Sequence, residues 1–195
     1  MNSHRSALII FARKPELGKV KTRLAAGIGL EKALAVYIKL LEHTRNITSG
    51  LPCDKYVFVT AHNDDKFWEG YQIELQQNET LGDRMHHAFE ILFAKGYKKV
   101  VIIGSDCPLL KAEDIKVAYE ALDKTNIVIG PTFDGGYYLL GMNQLYQQLF
   151  INKAWSTDTV FRDTINDINT ASLSVHVLRE LADLDEEKDM PSEWL

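Results

Sequence analysis

Lys14, Lys19, Lys21 and Arg23 crowd into one short segment, and with Gly18 they form the part of this chain best equipped for chemistry. The segment, Lys14-Pro15-Glu16-Leu17-Gly18-Lys19-Val20-Lys21-Thr22-Arg23-Leu24, leaves an apolar run, Ala7-Leu8-Ile9-Ile10-Phe11-Ala12, that reads as a buried strand. Cationic side chains supply charge and forked donors, and a glycine lets the backbone approach a ligand closely, which suits phosphoryl oxygens. A solvated basic turn would have the same composition. The charge distribution favours the phosphate reading: residues 1–25 hold six Lys or Arg against the single acid Glu16, in a chain of formal net charge −5.

Carboxylates follow two other apolar runs. Asp106 is the polar step out of Val100 to Gly104, and Pro108 ends the ladder just beyond it. A carboxylate there can ligate a divalent cation, since Mg²⁺ is commonly held by one or two carboxylates plus substrate phosphates. Capping the next helix is its other use, for which Glu113 and Asp114 lie nearer. Cys107 has no His near it in sequence and reads as a small buried thiol rather than a nucleophile. Asp134-Gly135-Gly136 forms a turn into Tyr137 to Met142, which leaves Asp134 available as a metal ligand or general base.

Three weaker constellations remain. In Trp155-Ser156-Thr157-Asp158-Thr159, Ser156 or Thr157 would cap the following helix, Asp158 would favour its positive end, and an exposed Trp155 would suit stacking on a sugar or base. Asp183-Leu184-Asp185 puts two carboxylates on one face if the chain is extended, or else forms the acidic first turn of a final helix. Leu81-Gly82-Asp83-Arg84-Met85 reads as a helix start that would offer Arg84 to a phosphate, while Gln76 and Gln77 could read a base edge. His86 and His87 lie about 100° apart on that helix, with no His or Cys three or four residues away, so zinc is not expected.

The elements that must position these groups alternate. Strands are expected at Ala7 to Ala12, Tyr56 to Ala61, Val100 to Gly104 and Ile127 to Gly130, with weaker ones at Tyr71 to Leu75 and Leu173 to Leu178. Helical spacing links Leu34, Ile38 and Leu41, and again Met85, Ala88, Phe89 and Leu92, and a third helix is expected from Lys111 to Leu122. Such alternation predicts a three-layer α/β/α sandwich around a mostly parallel sheet, in which ligands sit beyond the carboxyl ends of the strands.

Composition narrows the class. At 195 residues and 46% hydrophobic content, with no linker or repeat, residues 1–195 are expected to form one domain. The apolar runs fall short of the roughly 18 to 20 residues of a membrane span. Absence of a secretory signal and of Cys-x-x-Cys spacing for Cys53 and Cys107 points to the cytoplasm, with reduced thiols. An acidic chain whose only local excess of basic residues is one loop is not suited to a nucleic-acid polymer. The loop lacks the P-loop pattern, and Gly27-Ile28-Gly29 lacks the third glycine of the dinucleotide fingerprint.

Taken in order, Lys14-Pro15-x-x-Gly18-x-Val20-Lys21-Thr22-Arg23-Leu24, Leu81-Gly82-x-Arg84-Met85, Gly104-Ser105-Asp106-Cys107-Pro108, Gly130-Pro131-x-x-Asp134-Gly135-Gly136-Tyr137-Tyr138-Leu139 and Trp155-Ser156-Thr157 resemble a bacterial family of GT-A-like transferases of largely undefined substrate, within the nucleotide-diphospho-sugar transferases. More distantly the chain resembles 2-phospholactate and molybdenum cofactor guanylyltransferases. The resemblance implies a transferase of GT-A-like fold that uses Mg²⁺ or Mn²⁺, a nucleotide sugar or nucleoside triphosphate, and an acceptor. It implies metal at Asp106 with Lys14, Lys21 and Arg23 around the nucleotide phosphates, and together with the chemistry of the loop and of the helix start the expected nucleotide contacts are Lys14, Gly18, Lys19, Lys21, Thr22, Arg23, Arg84 and Asp106. Glycosyltransferases of this fold usually carry Asp-x-Asp where this chain has Asp106-Cys107-Pro108, so a second ligand would come from Asp134, Asp158 or Asp185. Asp134 is the first choice of catalytic base and Asp158 the second, with Trp155, Ser156 and Thr157 touching sugar or acceptor. Glycosyl transfer, nucleotidyl transfer and nucleotide binding without turnover are the three functions this leaves open.

Overall fold

The computed structural model describes residues 5–61 and 65–191. Seven strands, β1 (Ser6–Ala12), β2 (Asp54–Val59), β3 (Gln72–Leu75), β4 (Lys99–Gly104), β5 (Ile127–Pro131), β6 (Tyr137–Met142) and β7 (Val175–Val177), form one sheet in the order β3-β2-β1-β4-β6-β5-β7. Only β6 runs antiparallel to its neighbours, because a short turn joins it to β5. Five helices, α1 (Thr22–Ile28), α2 (Leu30–Ser49), α3 (Leu81–Ala94), α4 (Ala112–Ala121) and α5 (Val160–Thr170), complete the α/β/α sandwich.

Strand alternation divides the core. Leu8, Ile10, Val101 and Ile103 pack with α2 and α4, while Ala7, Ile9, Val100 and Ile102 pack with α3 and α5. Buried on both faces, β1 and β4 therefore read as continuous apolar runs. Cutting a fully buried Leu8 or Ile9 to Ala would cost about 2–5 kcal/mol.

A bulge in β6 sets the faces at the mouth of the sheet. Gly130 pairs with Leu139 but Pro131 pairs with Tyr137, so Tyr138 is the extra residue. Tyr138 and Leu139 consequently both join the α2/α4 side, and Tyr137 and Leu140 the α3/α5 side. Gly130 makes room for the bulge: a Cβ there would lie 2.4 Å from the Tyr138 ring.

Several local expectations need correction. The buried stripe of α2 is Ala33, Val36, Tyr37, Leu40, Leu41, Thr44 and Thr48, whereas Ile38 is exposed. Thr44 and Thr48 are tolerated inside because each hydroxyl donates to the carbonyl four residues back, at 2.9 and 2.7 Å. Thr159, not Ser156 or Thr157, is the N-cap of α5; the Thr157 hydroxyl instead donates to the Ala154 carbonyl at 2.7 Å. The acidic tail opens no final helix among the described residues, only a 3-10 turn at Glu187–Asp189. No helix among the described residues is long and apolar enough to cross a membrane.

Candidate functional site

The carboxyl ends of β1 and β4, the β5–β6 turn, the start of α3 and the chain after β7 surround a cleft of about 1090 Å³. Gly18 and Gln77 apart, the residues expected at a site line it: Lys14, Lys19, Lys21, Thr22, Arg23, Arg84, Asp106, Asp134, Trp155, Ser156, Thr157 and Asp158, with Gln76 and Asp185.

Lys21 is the centre of the charged wall. It is the N-cap of α1, with left-handed backbone (φ 48°) that is unfavourable for a side chain bearing a Cβ. Its ammonium is turned inward, 2.7 Å from Asp106 Oδ1 and 3.2 Å from Asp185 Oδ1, and the side chain is only 5% exposed. Burial alone would lower the Lys21 pKa, but Asp106 and then Asp185 outweigh it and raise the value. Arg23, largely exposed, reaches the other oxygen of Asp185 at 3.3 Å. Lys14 and Lys19 converge on Glu16 at 3.1 and 2.8 Å, and this holds the carboxyl below its usual range.

Two long-range ties fix this wall. Tyr37 of α2 accepts from the Arg13 amide at 2.7 Å, donates to the Arg13 carbonyl at 3.0 Å and lies 3.5 Å from the buried Ser105 hydroxyl, joining the basic loop to the end of β4. The segment after β7 is laid across the strand ends by backbone bonds: Leu178 to Ile129, Leu181 to Pro131 and Leu184 to Asp106, at 2.8, 3.1 and 2.9 Å. Leu184 is wholly buried, so its neighbours Asp183 and Asp185 are both presented to the cleft, as Asp-x-Asp in an extended chain requires. Burial, reinforced by Asp106, raises the Asp183 pKa to about 7. Tyr37 and Asp183 are two polar cleft residues missing from the expected set, alongside apolar ones such as Phe11 and Ile102. The Asp-x-Asp spacing signalled Asp183, but nothing local marked Tyr37.

Other expectations change with the geometry. Gln76 spends its amide nitrogen on the Ala12 and Phe58 carbonyls at 3.2 and 2.8 Å, which makes it a brace between strand ends rather than a base reader. Burial, with Asp183, pushes the Cys107 thiol up to about 12, in keeping with an inert core residue. Trp155 is half-buried rather than exposed, and its indole lies over Gly82 so closely that a Cβ there would be 2.3 Å away. Asp134 turns Oδ1 into its own loop, accepting from the Thr132 hydroxyl at 2.5 Å and the Gly136 amide at 3.1 Å. Gly135 (φ 86°) lies against the Asp158 carbonyl, where a Cβ would be 2.0 Å from the oxygen. That contact joins the β5–β6 turn to the loop before α5. Arg84 donates to the Asn78 carbonyl at 3.0 Å.

The donor set suits a hard divalent cation of a particular kind. No three His, Cys, Asp or Glu among the described residues form a ready protein cage. Asp106 supplies a hard carboxylate next to the cationic loop, which fits an ion held by one or two carboxylates and completed by phosphate oxygens.

Comparison with known proteins agrees with this architecture. Residues 44–157 match the family model DUF2064, described as uncharacterized proteins conserved in bacteria. The chain belongs to the DUF2064 family. A crystal structure from Desulfovibrio desulfuricans G20, provisionally described as a nucleotide-diphospho-sugar transferase, shares 32% identity over 94% of this DUF2064 chain and 83% of its own, with a TM-score of 0.88. The fold alone is shared with 4-diphosphocytidyl-2C-methyl-D-erythritol synthase from Anaerococcus prevotii DSM 20548 (14% identity, 95% and 92% of the two chains, TM-score 0.62). It is shared likewise with the inositol-1-phosphate CTP transferase from T. maritima (13%, 98% and 94%, TM-score 0.57). Curated proteins give no match.

Proposed function

We infer that this DUF2064 protein is a metal-dependent transferase using a nucleotide-activated donor, and that its reaction is glycosyl transfer from a nucleotide-diphospho-sugar. One observation carries the reading: a buried ammonium from the basic loop lies 2.7 Å from a strand-end carboxylate suited to a divalent cation, inside a cleft large enough for donor and acceptor together. The relative at 32% identity, with its provisional sugar-nucleotide assignment, supports the choice of donor.

In this reading Lys21, Arg23, Lys14 and Lys19 hold the diphosphate, Arg84 approaches it from the first turn of α3, and Gly18 and Thr22 shape the loop around it. Asp106 would hold the Mg²⁺ or Mn²⁺ ion, whose charge offsets that developing on the departing diphosphate. Asp134 or Asp158 takes the proton from the acceptor hydroxyl as its oxygen bonds to the anomeric carbon and the carbon–oxygen bond to the diphosphate breaks. Trp155, Ser156 and Thr157 meet the sugar or the acceptor. The protein acts in the reducing cytoplasm, where Cys53 and Cys107 stay as the free thiols they are.

Nucleotidyl transfer is the second reading, favoured by the cytidylyl-transferring relatives of the same fold. There a phosphorylated acceptor attacks the α-phosphorus of a nucleoside triphosphate and pyrophosphate leaves. Incubation with nucleotide-diphospho-sugars and with nucleoside triphosphates, with Mn²⁺ and a pool of small bacterial metabolites as acceptors, separates the two. Release of a nucleoside diphosphate from the sugar donor is expected. Release of pyrophosphate would establish the second reading, and nucleotide binding without either product would establish a protein that has kept the cradle but not the turnover.

A further inference from the structure

The cleft has a second, mostly apolar wall, bordered by Arg84. On the α3 side of the strand ends, Phe11, Met85, Ile102, Tyr137, Leu140 and Trp155 line it without a charged group among them. Ile102 pairs with Leu140 across the β4–β6 ladder, and the bulge at Tyr138 brings Tyr137 to the same face. The Tyr137 hydroxyl donates to Met85 Sδ at 3.9 Å, a weak bond, and burial raises its pKa. Gly104 follows Val100 and Ile102 on this face and pairs with Phe11. Beside Gly104 the space is open, since a Cβ there would have no heavy-atom neighbour nearer than the Asp106 amide at 4.0 Å.

We propose that this side is the acceptor pocket and that it takes an apolar carbon skeleton, aromatic or aliphatic, whose reacting oxygen stands at the rim near Asp134 and Asp158. The proposal rests on the transferase reading above. A nucleobase or a polyol is a poor occupant, because each carries several donors and acceptors that would lose water against a wall whose polar groups are one weakly bonded hydroxyl and the Trp155 indole N–H. An alkyl or aryl group loses nothing of that kind and gains from each area of carbon removed from water. The diphosphate, by contrast, belongs with Lys21 and Arg23 on the other wall. Gly104 is the specificity-determining position, because a side chain there would fill the pocket while meeting no neighbour.

Methyl-¹³C methionine NMR on the full chain tests this with 4-ethylphenol and glycerol as probes, only Met1, Met85, Met142 and Met190 contributing signals. 4-Ethylphenol should shift the Met85 methyl resonance saturably, whereas glycerol at equal concentration should not. Gly104→Leu should weaken 4-ethylphenol binding about tenfold, and Trp155→Ala, which removes part of the wall, should weaken it in the same direction. In the same samples, UDP and CTP titrated with Mn²⁺ report on the charged wall. Nucleotide binding with no Met85 response to 4-ethylphenol, or an equal response to glycerol, overturns the pocket and leaves the transferase reading standing. A Met85 response that Gly104→Leu leaves intact also overturns it. Absence of any nucleotide binding overturns the transferase reading, and the acceptor role falls with it.

Discussion

On one side of the strand ends Lys21 is enclosed by Asp106 and Asp185, whereas on the other Met85, Tyr137 and Trp155 line the cleft, with an O–H···S bond from Tyr137 to Met85. The charged wall is assembled from segments far apart in sequence and is held by backbone bonds, such as Leu184 to Asp106, as well as by ion pairs. The apolar wall is assembled by strand alternation and one bulge. A buried lysine with two carboxylates is unstable with either sign in excess, so this wall is sensitive to protons and cations. The apolar wall is sensitive to volume instead.

Perturbing each wall in its own terms should separate them. The largest effect is expected for Asp106→Ala, which removes both the proposed ion ligand and a partner of Lys21: turnover should fall at least about 100-fold in a steady-state assay with Mn²⁺. Gly82→Ala should cost about 2–3 kcal/mol in urea unfolding, because the new methyl must displace the Trp155 indole, and it should disturb the apolar wall without altering the charged one.

Asp183 gives the pH test. Its folded pKa, about 7, lies above the carboxylate's unfolded value, so its contribution is present below about pH 4 and is lost as pH rises through 7. Asp183→Asn should therefore be more stable than wild type by on the order of 2 kcal/mol at pH 8 and equal to it at pH 3, as read from unfolding at both values. Equal stability at both would show that Asp183 is neither desolvated by burial nor crowded by Asp106. The smallest effects concern single cations. Arg23→Ala should weaken nucleotide binding by about 1.5 kcal/mol in calorimetry, and Lys32→Ala, exposed on α2, should leave it unchanged.

The two walls also differ in how far the sequence exposes them. β1, β4 and the β5–β6 turn were legible because doubly buried strands leave apolar runs and because Asp134-Gly135-Gly136 carries its own turn signal. The basic loop was legible through its charge density. Tyr37 was not, since an aromatic residue on a helical stripe reads as core, and its hydroxyl reaches Arg13 and Ser105 only once α2 is packed. Asp183 and Asp185 carried a local spacing signal, but their approach to Lys21 depends on a strap crossing the sheet more than 150 residues later in the chain, as the separation of 164 between Lys21 and Asp185 shows. The half-burial of Trp155 depends on Gly82, and neither residue announces the other in sequence.

If Lys21 and Asp106 grip one ion-bridged nucleotide, calorimetric titration of UDP, GDP and CTP with and without Mn²⁺ will read that grip. Mn²⁺ should tighten binding of at least one of them by about tenfold or more in wild type, Asp106→Ala should abolish the gain, and Lys21→Ala should weaken binding itself. A gain from Mn²⁺ that survives Asp106→Ala, or binding indifferent to both substitutions, would contradict it.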